Sequence, residues 1–473
     1  MRCLRALPFL ALGLPWVPPS GAAGFSPVPQ PDPQVPGFRF PESESTIVNW
    51  VYVMGSGAPA DAATAFENIH LHGWGIWTAL TMETAQVDTG QNLRVFETWF
   101  TPQELSGVQN TPLPPGLRGF PRPRSSLLHF NQFQHGSAVR EESGSFATEG
   151  SETVFGYVKF DPIAADHIEK ENLLSLSALN QLMQGGAQQI PPFPPASLSL
   201  KSAFQVITAQ TLVGGRYYRL NAWSGPPATP RAWGPATWPG VVWIDLKGGG
   251  SGSGRIDMQA AADGSTRTDE TTYPVSSMIN HRLSALEAAQ FNVEEPGANA
   301  SAGDYAVLVA MHVAGREIAR WTWQTFWWTP TPDNPQLPSS AAIAGLRPAQ
   351  LTGAARNYAM ALGYDMMTPG QPNAGGQNAG SAIYAYNPYL EARFGPANLP
   401  DSLPGVGPDG QPANNNVGVN CNCMSCHMRA NYNPSGIASA PRYSGARYTS
   451  IDDPQFAGTL QVDLLWSLPE IAK

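Results

Sequence analysis

Near the C-terminus the chain reads Asn420-Cys421-Asn422-Cys423-Met424-Ser425-Cys426-His427-Met428-Arg429, and within it Cys423, Cys426 and His427 form a C-x-x-C-H motif. Residues three apart on a helical turn share one face, so the sulfurs of Cys423 and Cys426 can both reach the two vinyl groups along one edge of a haem. The next residue then carries an imidazole under the ring, where its nitrogen can ligate iron. The chemistry this spacing implies is covalent attachment of one haem c, with Cys423 and Cys426 holding the porphyrin and His427 holding the metal. Two other chemistries use the same atoms. A reversible C-x-x-C disulfide has no need of the following histidine and is expected beside a βαβ unit. A zinc site would draw on Cys421, Cys423, Cys426 and His427 as four tetrahedral ligands, but adjacent Cys426 and His427 would be strained as joint ligands. Cys421 adds an ambiguity of register, because Cys421 and Cys426 also make C-x4-C-H; the shorter loop from Cys423 is the preferred pair. Otherwise Cys421 reads as a spare thiol near the site or one half of a mixed disulfide.

The N-terminus points the same way. Arg2 and Arg5, the apolar stretch Leu7 to Val17 and the small residues Ser20-Gly21-Ala22-Ala23 read as a secretory signal over residues 1–23. The apolar run is interrupted by Pro8 and Pro15 and falls well short of the ~20 residues needed to span a bilayer. Export makes the periplasm or another exported location the expected address, and haem c is attached outside the cytoplasm in bacteria. Cys3 leaves with the signal, so the mature chain keeps only Cys421, Cys423 and Cys426. Three cysteines within six residues cannot staple a fold of this size, so they serve local chemistry.

Removing residues 1–23 takes away two arginines and no acid, leaving 25 basic against 36 acidic residues. Such a chain repels nucleic acid and anionic lipid, and a basic redox partner protein suits it electrostatically. No segment after the signal is long and apolar enough to span a membrane. No Ser-His-Asp order or paired-carboxylate motif stands out, and Gly248 to Gly254 (GGGSGSG) lacks the lysine and strand–helix setting of a phosphate loop.

Here the chain resembles a family of large bacterial cytochrome c proteins with one C-x-x-C-H near the C-terminus. The specific match is Cys423-Met-Ser-Cys426-His427. Softer ones are the His70–Trp77 stretch, Lys201-Ser-Ala-Phe, Arg216-Tyr-Tyr, His312 followed by the Trp321–Trp328 block, and Asn387-Pro-Tyr-Leu-Glu391. The resemblance implies haem binding and electron transfer and supplies no substrate. Small soluble cytochromes c differ: their haem motif lies early and a methionine ligand follows it. Here no methionine follows Met428, which is too close to His427 to swing over the ring. A sixth iron ligand comes from upstream or is absent; the candidates are His70, His72, His312, Met366 and Met367. Arg429, Arg442 and Arg447 are candidate partners for haem propionates. His129, His135, His167 and His281 read as surface or locally hydrogen-bonded residues. A haem enzyme, a peroxidase or oxygenase with an open sixth position, is the alternative to an electron-transfer protein, because moving one electron does not require so long a chain. A haem-based sensor of a small ligand is a third class.

The elements that must position these residues are legible in outline. Residues 24–42 are a proline-rich lead-in, 43–400 an α+β body with a mainly β centre, and 401–473 a loop-rich haem-attachment segment. The spacing of Phe66, His70, Trp74 and Trp77 predicts a helix, interrupted in pattern by Gly73 and Gly75. Val154–Phe160, Ala203–Leu212, Arg216–Trp223, Gly240–Leu246 and Asp304–Val313 read as strands. Trp321–Trp328 is an aromatic block, half of it alternating. Asp166–Met183 and Ala341–Leu362 read as helical, the second broken near Pro348.

Overall fold

Tyr305–Gly315 (YAVLVAMHVAG) is nearly all apolar, the pattern of a strand buried on both faces. It lies at the centre of a six-stranded antiparallel sheet. In the computed structural model, which describes residues 26–106, 154–294, 297–365, 373–374, 377–378, 383–395, 417–434 and 454–472, that sheet is the core of a mixed α+β fold. Its strands are β1 (Phe155–Phe160), β2 (Leu198–Ile207), β3 (Asn280–Arg282), β4 (Tyr305–Gly315), β5 (Thr322–Trp328) and β6 (Tyr358–Leu362). The order is β6-β5-β4-β2-β1, with short β3 also pairing to β4. Register sets Val158, Lys201, His312, Thr325 and Ala361 side by side in one row across five strands.

Successive residues of a strand face opposite sides of the sheet, and this parity sorts everything around it. Phe326 of β5 stacks on Trp77 of helix α2 (Pro59–Thr81), so α2, with α1 (Glu44–Ser56) packed on it, covers the first face. Pro59 sits at the start of α2, where its missing N–H costs nothing. Gly73 interrupts the helical pattern for a reason visible here: a Cβ would reach Met360 Sδ of β6 at 2.8 Å, so the glycine lets α2 lie close on the sheet. Thr325, the neighbour of Phe326, faces the other way and accepts a hydrogen bond from Asn387 Nδ2 at 2.8 Å. On this second face lie a four-stranded sheet (Leu212–Val213, Tyr217–Asn221, Val241–Asp245, Thr272–Pro274) and the segments 383–395 and 417–430.

Among the described residues two apolar clusters fill the interior. The larger holds α1, α2, most of the central sheet and the second sheet. The smaller joins Phe100, Phe160, Ile168 and Phe193 to Met424, Met428, Leu465 and Trp466, so the C-terminal segment shares a core with residues from the first half of the chain. Trp321 enters this core with a positive φ of 60°, a conformation costing a bulky residue roughly 1–3 kcal/mol, and full burial of its indole offsets that.

Several local expectations change. Ala341–Leu362 is α-helical only over Ala341–Gly345; a 3-10 helix over Gly353–Asn357 and then strand β6 follow, because Tyr358, Met360 and Leu362 pair against the aromatic strand β5. Asp166–Met183 is two helices, Pro162–Lys170 and Leu176–Gln184, parted where Asn172 takes a left-handed φ of 53°. The strand placed at Ala203–Leu212 runs instead over Leu198–Ile207 as β2, and a 3-10 turn at Ala209–Thr211 follows it. His167 and His281 are buried: His167 bonds the Pro191 carbonyl, and His281 faces Glu287 at 3.4 Å. No helix among the described residues is long and apolar enough to cross a membrane.

Candidate functional site

Cys423–His427 forms a single helical turn. Met424 and Met428, four apart and so on one side of that turn, are both buried in the smaller core. They anchor the turn and leave Cys423, Cys426 and His427 only partly buried, Cys423 touching the smaller cluster and Cys426 the larger. The lead into the turn, a 3-10 turn over Gly418–Asn420 followed by extended Cys421 and Asn422, is clamped by segment 383–395. Ala385 bridges to Asn422 and its N–H donates to the Cys421 carbonyl at 3.1 Å, and the Gly418 N–H donates to Phe394 at 3.0 Å. Gly418 lies so close that a Cβ there would overlap the Glu391 carbonyl.

His427 is held on two sides. Its ring lies against Trp323 of β5, centroids 4.0 Å apart. Its Nδ1 is 2.8 Å from the Leu464 carbonyl, and because a carbonyl only accepts, Nδ1 carries the proton. In the neutral ring Nε2 therefore carries the lone pair, the tautomer a metal ligand needs. Leu464 is placed by its neighbour: the Asp463 carboxylate accepts from the Phe193 N–H at 3.0 Å and from Arg316 Nε at 3.1 Å. Asp463 and Leu464 both adopt left-handed φ, 46° and 66°, which turns the Leu464 carbonyl toward the imidazole.

None of Cys421, Cys423 and Cys426 is in a disulfide. Cys421 is buried and donates to the Gly418 carbonyl at 2.9 Å, while Cys423 Sγ lies 3.5 Å from the Ala385 carbonyl. Burial pushes both thiols up from the ordinary value, and the charge of nearby Glu391 adds to the effect. Disulfide-exchange sites work through a depressed thiol pKa, the opposite of this environment. The side chains of Cys421, Cys423 and His427 address three different carbonyls rather than one centre. Among the described residues no group of three or more His, Cys, Asp or Glu is arranged to share a metal ion. Two thiols on one turn, beside an imidazole with its lone pair on Nε2, are a donor set that fits a covalently held haem.

The structure separates the candidates for the sixth position. His70 and His72 are on α2, across the sheet from the cysteines. His70 bonds the Phe66 carbonyl at 2.7 Å, and burial lowers its pKa to about 4. Both nitrogens of His72 are engaged, by Tyr364 Oη and Glu317 Oε1, each at 3.0 Å. His312 is on the second face, with Trp323 and Thr325, and its Nε2 is 2.9 Å from Glu391 Oε1. Met366 and Met367 lie outside the described residues, as do Arg442, Arg447, His129 and His135. Arg429 is buried beside the turn. Sequence reasoning missed Trp323 as the partner of His427, Glu391 as the partner of His312, and the Leu464 carbonyl. Asn387–Glu391 stands out in the sequence without a role assigned to it.

No family model, curated protein or solved structure matches this chain.

Proposed function

We propose that this chain is an exported, periplasmic c-type cytochrome that carries one covalent haem and transfers electrons. Cys423 and Cys426 supply the thioether sulfurs and His427 the proximal ligand through Nε2. One observation carries the reading: the C-x-x-C-H turn presents its imidazole with Nδ1–H already committed to the Leu464 carbonyl. A haem bound here would supply iron that cycles between ferric and ferrous states. The protein's own groups do the rest. Trp323 fixes the plane of the imidazole, the Leu464 carbonyl strengthens it as a ligand by holding its far proton, and Met424 and Met428 keep the turn from tilting. The acidic balance of the chain suits docking with a basic redox protein.

The test is expression with export and the c-type maturation machinery. Wild-type protein is expected to keep its colour and haem stain on a denaturing gel, and C423A/C426A to lose both. A colourless wild type with free Cys423 and Cys426 thiols would sink the reading.

A further inference from the structure

We propose that His312 supplies the sixth ligand of the haem iron, backed by Glu391 as its carboxylate support. The proposal rests on the haem reading above and goes past it, because nothing in the C-x-x-C-H motif says where a second axial ligand comes from.

Strand parity makes the first argument. His312 pairs directly with Thr325 across β4 and β5, so the two side chains share a face. Trp323, two residues from Thr325, is on that face too, and its indole is the wall against which His427 packs. His70 and His72 belong to α2 on the opposite face, with the full thickness of the sheet between them and the cysteines. Of the three histidine candidates, His312 alone shares a side with the attachment turn.

The state of the ring makes the second. Glu391 Oε1 accepts the hydrogen bond from Nε2–H at 2.9 Å, so a neutral His312 has its lone pair on Nδ1. Nδ1 is buried and has no hydrogen-bond partner among the described residues. A buried acceptor without a partner is unfavourable, a cost that metal ligation would remove. A carboxylate on one imidazole nitrogen and a bare lone pair on the other is the arrangement by which proteins orient metal-ligating histidines.

Glu391 is itself held in place. Its Oε2 accepts the Asn387 N–H at 2.7 Å, and Asn387 is tied in turn to Thr325 and the Phe326 carbonyl. The same segment carries Ala385, which receives Cys423 Sγ, and Gly418 packs on the Glu391 backbone. The carboxylate that orients His312 and the backbone that clamps the cysteine turn are therefore one rigid piece. That its charge reaches the thiols of Cys421 and Cys423 fits this closeness.

Optical and electron paramagnetic resonance spectra of the haem-loaded protein test the assignment. Wild type is expected to be low-spin when ferric, to lack a sulfur-to-iron charge-transfer band, and to ignore carbon monoxide when ferrous. H312A should keep its gel-stable haem, turn high-spin and bind carbon monoxide, and added imidazole should restore the low-spin spectrum. E391Q should stay low-spin with a raised reduction potential, because an imidazole without its carboxylate is a weaker donor to ferric iron. H72A should leave the spectrum unchanged. The assignment is overturned, with haem attachment left standing, if H312A remains low-spin and indifferent to carbon monoxide, if M366L/M367L loses the low-spin spectrum instead, or if wild type is itself high-spin. A wild type without covalent haem removes the foundation for both readings.

Discussion

The indole of Trp323 lies against the imidazole of His427 with ring planes 38° apart, joining the central sheet to a turn about a hundred residues further along the chain. The contact is specific on both sides, since the indole N–H donates to the Arg320 carbonyl at 2.9 Å and Leu464 holds the imidazole.

Truncating that wall should be costly. W323A is expected to lose about 3–5 kcal/mol in denaturant unfolding, as large aromatic deletions in a core do, with W323F losing less. Haem should remain covalently attached, because the sulfurs do not involve Trp323, while the spectrum shows a mixed spin state. Unchanged stability and spectrum would show that the contact constrains nothing.

Asp463 should act on the site from one residue away. D463A removes the acceptor for Phe193 N–H and Arg316 and frees the left-handed turn that aims the Leu464 carbonyl. The expected result is a higher reduction potential with haem still attached, since an imidazole that loses its Nδ1–H acceptor is a weaker ligand. Redox titration of D463A against D463N, which keeps one acceptor oxygen, reads this directly.

Cys421 is expected to be dispensable for attachment. Its thiol is turned to the Gly418 carbonyl inside the larger core. C421S should carry haem through two thioethers, seen by mass spectrometry of the haem peptide, with a loss of stability near 1 kcal/mol. If C423A, rather than C421S, retains two thioethers, the attachment pair is Cys421 with Cys426.

Gly418 should tolerate no side chain. In G418A the new methyl group meets the Glu391 carbonyl and, at 3.2 Å, Ala392 Cα, both backbone that cannot rotate away. Overpacking costs about 1–3 kcal/mol where side chains can shift, and a value at or above the top of that range is expected. Thermal unfolding and haem yield should fall together; a wild-type melting curve would contradict the clamp.

Two buried groups give opposite pH dependence. Burial raises Asp161, the N-cap of helix Pro162–Lys170, to about 6, so its folded form holds a proton that the unfolded chain has lost. Its contribution is full below the ordinary carboxyl value near 4 and fades as pH rises through 6. His70, lowered to about 4, contributes above the ordinary imidazole value near 6.5, and that contribution fades as pH falls toward 4. Across pH 4 to 6 the two slopes nearly cancel. D161N should expose a fall of about 3 kcal/mol on acidification, and H70Q a rise of similar size, in denaturant titrations at a series of pH values. Parallel profiles for the two variants would refute the assignment.

The strands at 304–313, 216–223 and 240–246 and the helix through His70 were readable because β-branched runs and 3.6-residue spacing are local signals. Ala341–Leu362 was misread because its alternation is short and its strand exists only by pairing with β5. Trp323 looked like one of several core aromatics, and nothing near it in the chain announces His427. Leu464 carries no sequence signal at all, since its contribution is a backbone carbonyl aimed by two left-handed residues.

The chain's letters by themselves determined the chemistry on offer: two sulfurs and an imidazole at the spacing of one helical turn, in a polypeptide whose beginning reads as an export signal. Only the tertiary structure decided which distant groups serve them. A strand places neighbouring side chains on opposite faces, so a shift of one residue in register would move His312 away from the cysteines. Pairing between strands fixes that parity, and it put His312 and Trp323 on the same side as the turn and left His70 and His72 behind the sheet.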